Sequence, residues 1–209
     1  MKAKGCVALK SAIAYHRGND FLLTPKDKAK VVFEKKAEDI TFADIKYFQD
    51  YVFHAICKIA VEVNMPFQVH TGMAQLRKSN GMNLLDAIVN NPETKFVLFH
   101  GNYPWVDDYL GLLHNYQNIY PDICWMPILS TTKAVSALKE IIEIGTQDKI
   151  CWGCDTWTSE ESLGALMATR FVFARTMTDL VNDGYLSKEN GFEFIDNILY
   201  YNAKRLYNL

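Results

Sequence analysis

Phe67-Gln68-Val69-His70-Thr71-Gly72 and Phe96-Val97-Leu98-Phe99-His100-Gly101 decide the fold. Each is an apolar run that ends on a histidine with a glycine close behind. Lys149-Ile150-Cys151-Trp152-Gly153-Cys154-Asp155 is built the same way and ends on an aspartate. Short apolar runs of this kind are strands buried on both faces, as in parallel sheets covered by helices. Strands that finish in the order His, His, Asp put three metal-ligand types at strand ends, where α/β barrels carry their sites.

Outward from these stretches the chain alternates. Strands are expected at Cys6–Leu9, Pro66–His70, Lys95–His100, Ile119–Ile123 and Lys149–Cys154. Between them, helical spacing of apolar residues runs over Phe42–Val63, Asn83–Val89, Val106–Tyr116 and Val135–Ile144. Thr158 and Glu161 have the spacing of a capping box and open a long helix toward Leu180. Ser187 and Asn190 begin a last helix ending near Leu206. Strands separated by helices, without two-residue hairpin signals, mean parallel βαβ units. The expected fold is α/β, a partial barrel of about five parallel β/α units in a single domain over residues 1–209. A doubly wound flavodoxin-like sheet would show the same alternation, but no Gly-rich phosphate loop follows the first strand.

Strand parity assigns faces, because residues two apart share one. It groups Lys10 with Ala8, His70 with Gln68, His100 with Leu98, and Asp155 with Gly153 and Cys151. The opposite sets, Val7 and Leu9, Phe67 and Val69, Val97 and Phe99, Trp152 and Cys154, are apolar and expected to meet helices.

Composition narrows the function. A 49% hydrophobic and 22% charged chain of 209 residues can bury one sizeable core. A net charge of −2 without a basic run argues against nucleic acid or an anionic membrane as partner. No stretch approaches the roughly 18 apolar residues of a transmembrane helix. Five cysteines, an odd number with no export signal, read as reduced thiols in the cytoplasm. Cys151 and Cys154 have redox C-x-x-C spacing, yet they lie inside a strand rather than at a helix N-terminus and read as structural.

Neutral imidazole and carboxylate suit Zn²⁺ and similar ions, so His70, His100 and Asp155 are the candidate ligands. The bland alternative for each is a satisfied structural residue. Lys10 could pair with a substrate carboxylate, carry a metal-bridging carbamate, or snorkel to the rim. Arg17, in a loop after the first strand, offers either a bidentate grip on a carboxylate or an ordinary solvated cation. Trp105 and Trp125 follow strand ends and could wall a pocket or simply pack. His54 and His114 read as packed helix residues.

The ordered set Val7-Ala-Leu-Lys10-Ser-Ala-Ile-Ala-Tyr-His-Arg17-Gly18, Pro66-Phe-Gln-Val-His70-Thr-Gly72, Phe96-Val-Leu-Phe-His100-Gly-Asn-Tyr-Pro-Trp105 and Ile150-Cys-Trp-Gly-Cys-Asp155-Thr156 resembles the amidohydrolase-related family of metal-dependent TIM-barrel hydrolases. The resemblance is nearest to the branch with the nodulin-like domain of some glutamine synthetases, and Asn202-Ala-Lys-Arg-Leu-Tyr207 extends it to the C-terminus. It implies a (β/α)₈ barrel in which Lys10, His70, His100 and Asp155 close strands four, five, six and eight. It further implies a divalent metal, Zn²⁺ or Mn²⁺, held by His70, His100, Asp155 and Lys10. Asp155 and His100 would be catalytic, and Arg17, Gln68 and Trp105 would face a small carboxylate-bearing substrate. Hydrolysis of a C–N or related bond is the implied reaction; decarboxylation and isomerisation use the same scaffold.

The family's H-x-H pair on strand one is lacking, since His16, His54, His70, His100 and His114 are nowhere two apart. Five strands cannot close an eight-stranded barrel. The expectation is a portion lacking the first three strands, which self-associates or pairs with an N-terminal half. A non-catalytic half-barrel that only associates is the alternative.

Overall fold

The computed structural model describes residues 2–209. Its strands are short and mutually parallel: β1 (Leu9–Ser11), β2 (Phe67–Val69), β3 (Phe96–Leu98) and β4 (Ile119–Pro121), hydrogen-bonded in that order. The helices are α1 (Lys26–Phe33), α2 (Phe42–Glu62), α3 (Leu85–Asn90), α4 (Val106–Asn115), α5 (Met126–Leu129), α6 (Thr131–Glu143), α7 (Ser159–Asn182), α8 (Lys188–Asp196) and α9 (Asn202–Tyr207). Strand order follows chain order without reversal. A doubly wound sheet reverses at a switch point, so the topology is that of consecutive barrel units, and the sheet is open.

Two strands differ from expectation. The first lies at Leu9–Ser11 rather than Cys6–Leu9. The fifth is reduced to one parallel bridge between Asp122 and Cys151. Cys151 donates its N–H to the Pro121 carbonyl (2.8 Å) and accepts from Ile123 (3.1 Å). All the ladder bonds of this segment run to β4, and the chain leaves the sheet directly afterwards. Helices α1 and α5 stand where no element was expected. The capping boxes of Thr41 with Asp44 and of Thr158 with Glu161 open α2 and α7.

Register places Leu9, Phe67, Phe96 and Ile119 level, then Lys10, Gln68, Val97 and Tyr120. The first row faces the helices and belongs to the main core, with Leu84, Tyr109, Leu138 and Val172. The second row lines the inner face. There Val97 and Cys151 form a smaller apolar cluster with Leu206 of α9, flanked by Tyr120 and Tyr207. Gln68 donates to the Tyr207 hydroxyl (2.9 Å), and Asn202 ties α9 down by donating to the Ile150 carbonyl (2.7 Å). The face assignment in β3 is therefore corrected. Val97 points inward and Leu98 outward, where the Tyr109 hydroxyl donates to its carbonyl (3.0 Å).

Apolar side chains remain exposed along α7 at Leu163, Met167 and Phe171, a stripe of helical spacing. No helix among the described residues is long and apolar enough to cross a membrane.

His54 is a packed residue of α2, buried at 4% exposure, with Nδ1 accepting from the Asn91 amide at 2.8 Å. Burial lowers its pKa from 6.5. A lowered histidine pKa means the unfolded chain binds the extra proton first. Its stabilising contribution is present above about pH 6.5 and drains as pH falls. We expect acidification from pH 7.5 to 5 to cost up to about 1.4 kcal/mol per pH unit through this group. Urea unfolding would read it, with His54→Gln giving a shallower acid slope.

Candidate metal centre

Because the strands start level, their C-terminal ends open at one level. His70 follows β2 directly. Its N–H donates to the Ser11 carbonyl (3.0 Å), and its carbonyl accepts from the buried Asn19 amide (3.0 Å). His100 arrives differently, because β3 ends at Leu98 facing outward. The chain then turns through left-handed backbone at His100 (φ 67°), Gly101 (φ 54°) and Asn102 (φ 55°). That turn carries the imidazole to the inner side. Trp125 (φ 65°) and Asp155 (φ 50°) make similar turns after the next two chain segments. Non-glycine residues seldom adopt this region, and such strain concentrates at functional sites.

The two imidazoles meet edge to face, with His100 Nε2 3.0 Å from His70 Nδ1. Asp155 Oδ2 lies 3.5 Å from the same Nε2. Carbonyl partners favour one tautomer of each ring, because a carbonyl only accepts. His70 Nε2–H donates to the Met73 carbonyl (3.0 Å), and His100 Nδ1–H to the Cys124 carbonyl (3.2 Å). In these tautomers the two facing nitrogens present lone pairs 3.0 Å apart, and the Asp155 carboxylate lies beside His100 Nε2. Such an acceptor-only cluster could hold a cation. A proton is a poor candidate: burial, reinforced by His70, pushes the His100 imidazole down to about 3, and burial also lowers His70. A divalent ion with bonds of about 2.1 Å in tetrahedral geometry spaces its donors by about 3.4 Å. The two separations from His100 Nε2, 3.0 and 3.5 Å, are close to that spacing.

Lys10 stands on the inner face one row below, its ammonium 3.2 Å over the Phe99 ring. Burial lowers its pKa, while the charges of Cys124, Asp155 and Asp122 oppose the shift. Gln68 shares that face and is engaged by Tyr207. Arg17 is turned to α2, where Nη2 pairs with the buried carboxylate of Asp50 (2.7 Å) and donates to the Asp20 carbonyl (2.5 Å). It also lines a cavity of about 440 Å³ with Lys46 and Lys78. Trp105 caps α4, and its carbonyl accepts from the Asn102 amide (2.8 Å).

Three further side chains adjoin the cluster. Trp125 lies 4.9 Å from the His100 ring and Tyr15 4.4 Å from the His70 ring, centroid to centroid. Cys124 Sγ lies 3.3 Å from His100 Nδ1. Cys124 could have been found in the sequence by the rule that found the histidines, since it follows the apolar end of the fourth strand segment.

A sequence model of the family described as Amidohydrolase matches residues 41–209. Protein fluG of Emericella nidulans is 28% identical over 97% of this chain, which spans about a quarter (26%) of that relative's length. Among solved structures, a Lactobacillus casei protein provisionally assigned as a metal-dependent hydrolase superposes with a TM-score of 0.81 at 23% identity. It is matched by 99% of this chain over 56% of its own length. Uronate isomerase of Thermotoga maritima superposes with a TM-score of 0.81 at 16% identity, over 99% of this chain and 50% of its own. The chain thus covers about half the length of these structures, and its fold is a portion of their barrel.

Gly72 bears on the geometry, with φ +80° and room for no Cβ, which would sit 2.4 Å from the Tyr103 carbonyl oxygen. Gly72→Ala should destabilise the chain by about 2 kcal/mol or more, read as a lower urea midpoint.

Proposed function

Because this chain belongs to the amidohydrolase family, we propose that it carries the His–His–Asp part of a divalent-metal centre hydrolysing a C–N or related bond. The substrate class we propose is a small molecule bearing a carboxylate. The observation that carries the reading is the pair of imidazole lone pairs 3.0 Å apart beside the Asp155 carboxylate. His70, His100 and Asp155 would hold the ion, with Zn²⁺ favoured by the imidazole donors and Mn²⁺ the alternative. A bound divalent ion supplies Lewis acidity, polarising a carbonyl and acidifying water toward a pKa of about 7.

The chain's own residues do the rest. Asp155 is the half-exposed member of the cluster (48%), whereas His100 is fully buried. It is therefore the group positioned to take a proton from the attacking water and return it to the leaving nitrogen. His100 holds its proton on Nδ1 against the Cys124 carbonyl, which orients Nε2 as a ligand. Lys10 serves as an ammonium facing developing negative charge or, once carbamylated, as a further ligand. On the substrate side, Arg17 is the candidate contact for a carboxylate; it borders a cavity shared with Lys46, Lys78 and Asp20 and is itself paired with Asp50. Gln68 and Trp105 are the other substrate-facing candidates.

Isomerisation is a second reading, favoured by the sugar-acid isomerases among the structural neighbours. Under either reading, activity requires the remaining barrel strands, from elsewhere in a longer protein, a partner or a second copy. The open sheet and the exposed stripe of α7 support such pairing. A metal-free half-barrel that only associates is the non-catalytic alternative.

Mass-spectrometric metal analysis after zinc loading and dialysis tests the centre, with molar mass recorded on the same sample. About one zinc per chain, lost in His70→Ala and His100→Ala, is expected. Zinc well below stoichiometric in the wild-type chain would instead leave the non-catalytic reading. In the completed barrel, Asp155→Asn should lower kcat by about 10²-fold or more.

A further inference from the structure

We propose that Cys124 is a thiolate ligand of this centre, adding sulfur to the donors His100 and Asp155; the inference rests on the metal-centre reading above. His100, Cys124 and Asp155 each present one donor atom, and these three atoms lie within 4.8 Å of one another. Bonds of about 2.0 Å to nitrogen or oxygen and 2.3 Å to sulfur would draw them together by about 1 Å.

Three observations separate Cys124 from an ordinary buried cysteine, which behaves as a small hydrophobe. It is almost fully buried, yet it belongs to neither apolar cluster, whereas Cys57 and Cys151 do. Its sulfur instead meets an imidazole, 3.3 Å from His100 Nδ1–H, and a metal on Nε2 would draw it off that contact toward the other two donors. Its backbone is also held from several sides. Its N–H donates to Asp122 Oδ1 (2.8 Å), its carbonyl accepts from Met126 N–H (2.7 Å), and the next residue, Trp125, takes the strained left-handed turn. That turn sends the chain away into α5 while Cys124 stays behind against His100. With Cys124, the segments ending at His70, His100, Cys124 and Asp155 each bring a Lewis base to the same end of the sheet.

Two consequences follow. Thiolate selects soft and borderline ions, so Zn²⁺ and Co²⁺ should outcompete Mn²⁺. Binding must also displace the thiol proton to solvent, leaving a sulfur–metal bond where the S–H bond was.

Cobalt titration of the full chain, followed by optical absorption, tests this. The expected result is a near-ultraviolet thiolate-to-cobalt charge-transfer band saturating near one equivalent. Cys124→Ser should abolish the band while cobalt still binds at least about tenfold more weakly; Cys154→Ser should keep it. Cobalt binding that is lost in His100→Ala but shows no such band would overturn the Cys124 assignment and leave the His–His–Asp centre standing. No cobalt binding at all would remove both. Should Cys124→Ser fail to fold, zinc X-ray absorption on Cys154→Ser decides the matter. A sulfur shell at about 2.3 Å is expected, and a shell of nitrogen and oxygen alone counts against the proposal.

Discussion

The level start of four parallel strands is the constraint on which the rest of this structure depends. Lys10, Gln68, Val97 and Tyr120 stand in one row because each strand is paired without stagger to the next. Parallel pairing with every crossover on one side sends all C-terminal ends to the same rim. Residues far apart in the chain, His70, His100, Cys124 and Asp155, then meet there, and contacts between the loops that carry them, such as His100 Nδ1 with the Cys124 carbonyl, fix their orientation. The open edges are the other face of the same constraint. A parallel sheet is stable when both faces are covered. Here the helices cover the outer face, while α9 covers the lower part of the inner one through Leu206 and Tyr207.

On that rim, backbone strain has been accepted in exchange for aim. His100 would point toward the helices if β3 continued extended, because Leu98 already faces outward. The left-handed turn at His100 and Asn102 reverses this, and similar turns occur at Trp125 and Asp155. Gly72 and Gly101 allow the backbone and Met126 to approach closely around the turns. The result is a cluster of acceptors in a buried setting where protonation is disfavoured.

Much of this was legible in the residues. Apolar runs ending on His70, His100 and Asp155 located three strand segments and their rim, and the Thr158 and Glu161 spacing marked the start of α7. Helices α1 and α5 were not legible: Lys26–Phe33 is half charged, and Met126–Leu129 is a single turn beginning beside Pro127. Cys124 was passed over, although it too follows the apolar end of a strand segment. Arg17 read equally as a substrate grip or a solvated loop residue. Its pairing with Asp50, 33 positions away, is a tertiary fact that spacing cannot carry.

What the sequence by itself determined is the alternation of strand and helix, the parallel sense of the sheet, and which side chains stand at strand ends. These follow from local periodicity and from the covering of both faces of each strand. What only the tertiary structure decided is the direction of those side chains and the partners that fix their protonation. Parity placed His100 with Leu98, and the turn between them broke that parity. The lone pairs of His70 and His100 face each other because the Met73 and Cys124 carbonyls hold the opposite nitrogens. Such a relation depends on distances of about 3 Å between segments thirty residues apart, which no local pattern encodes.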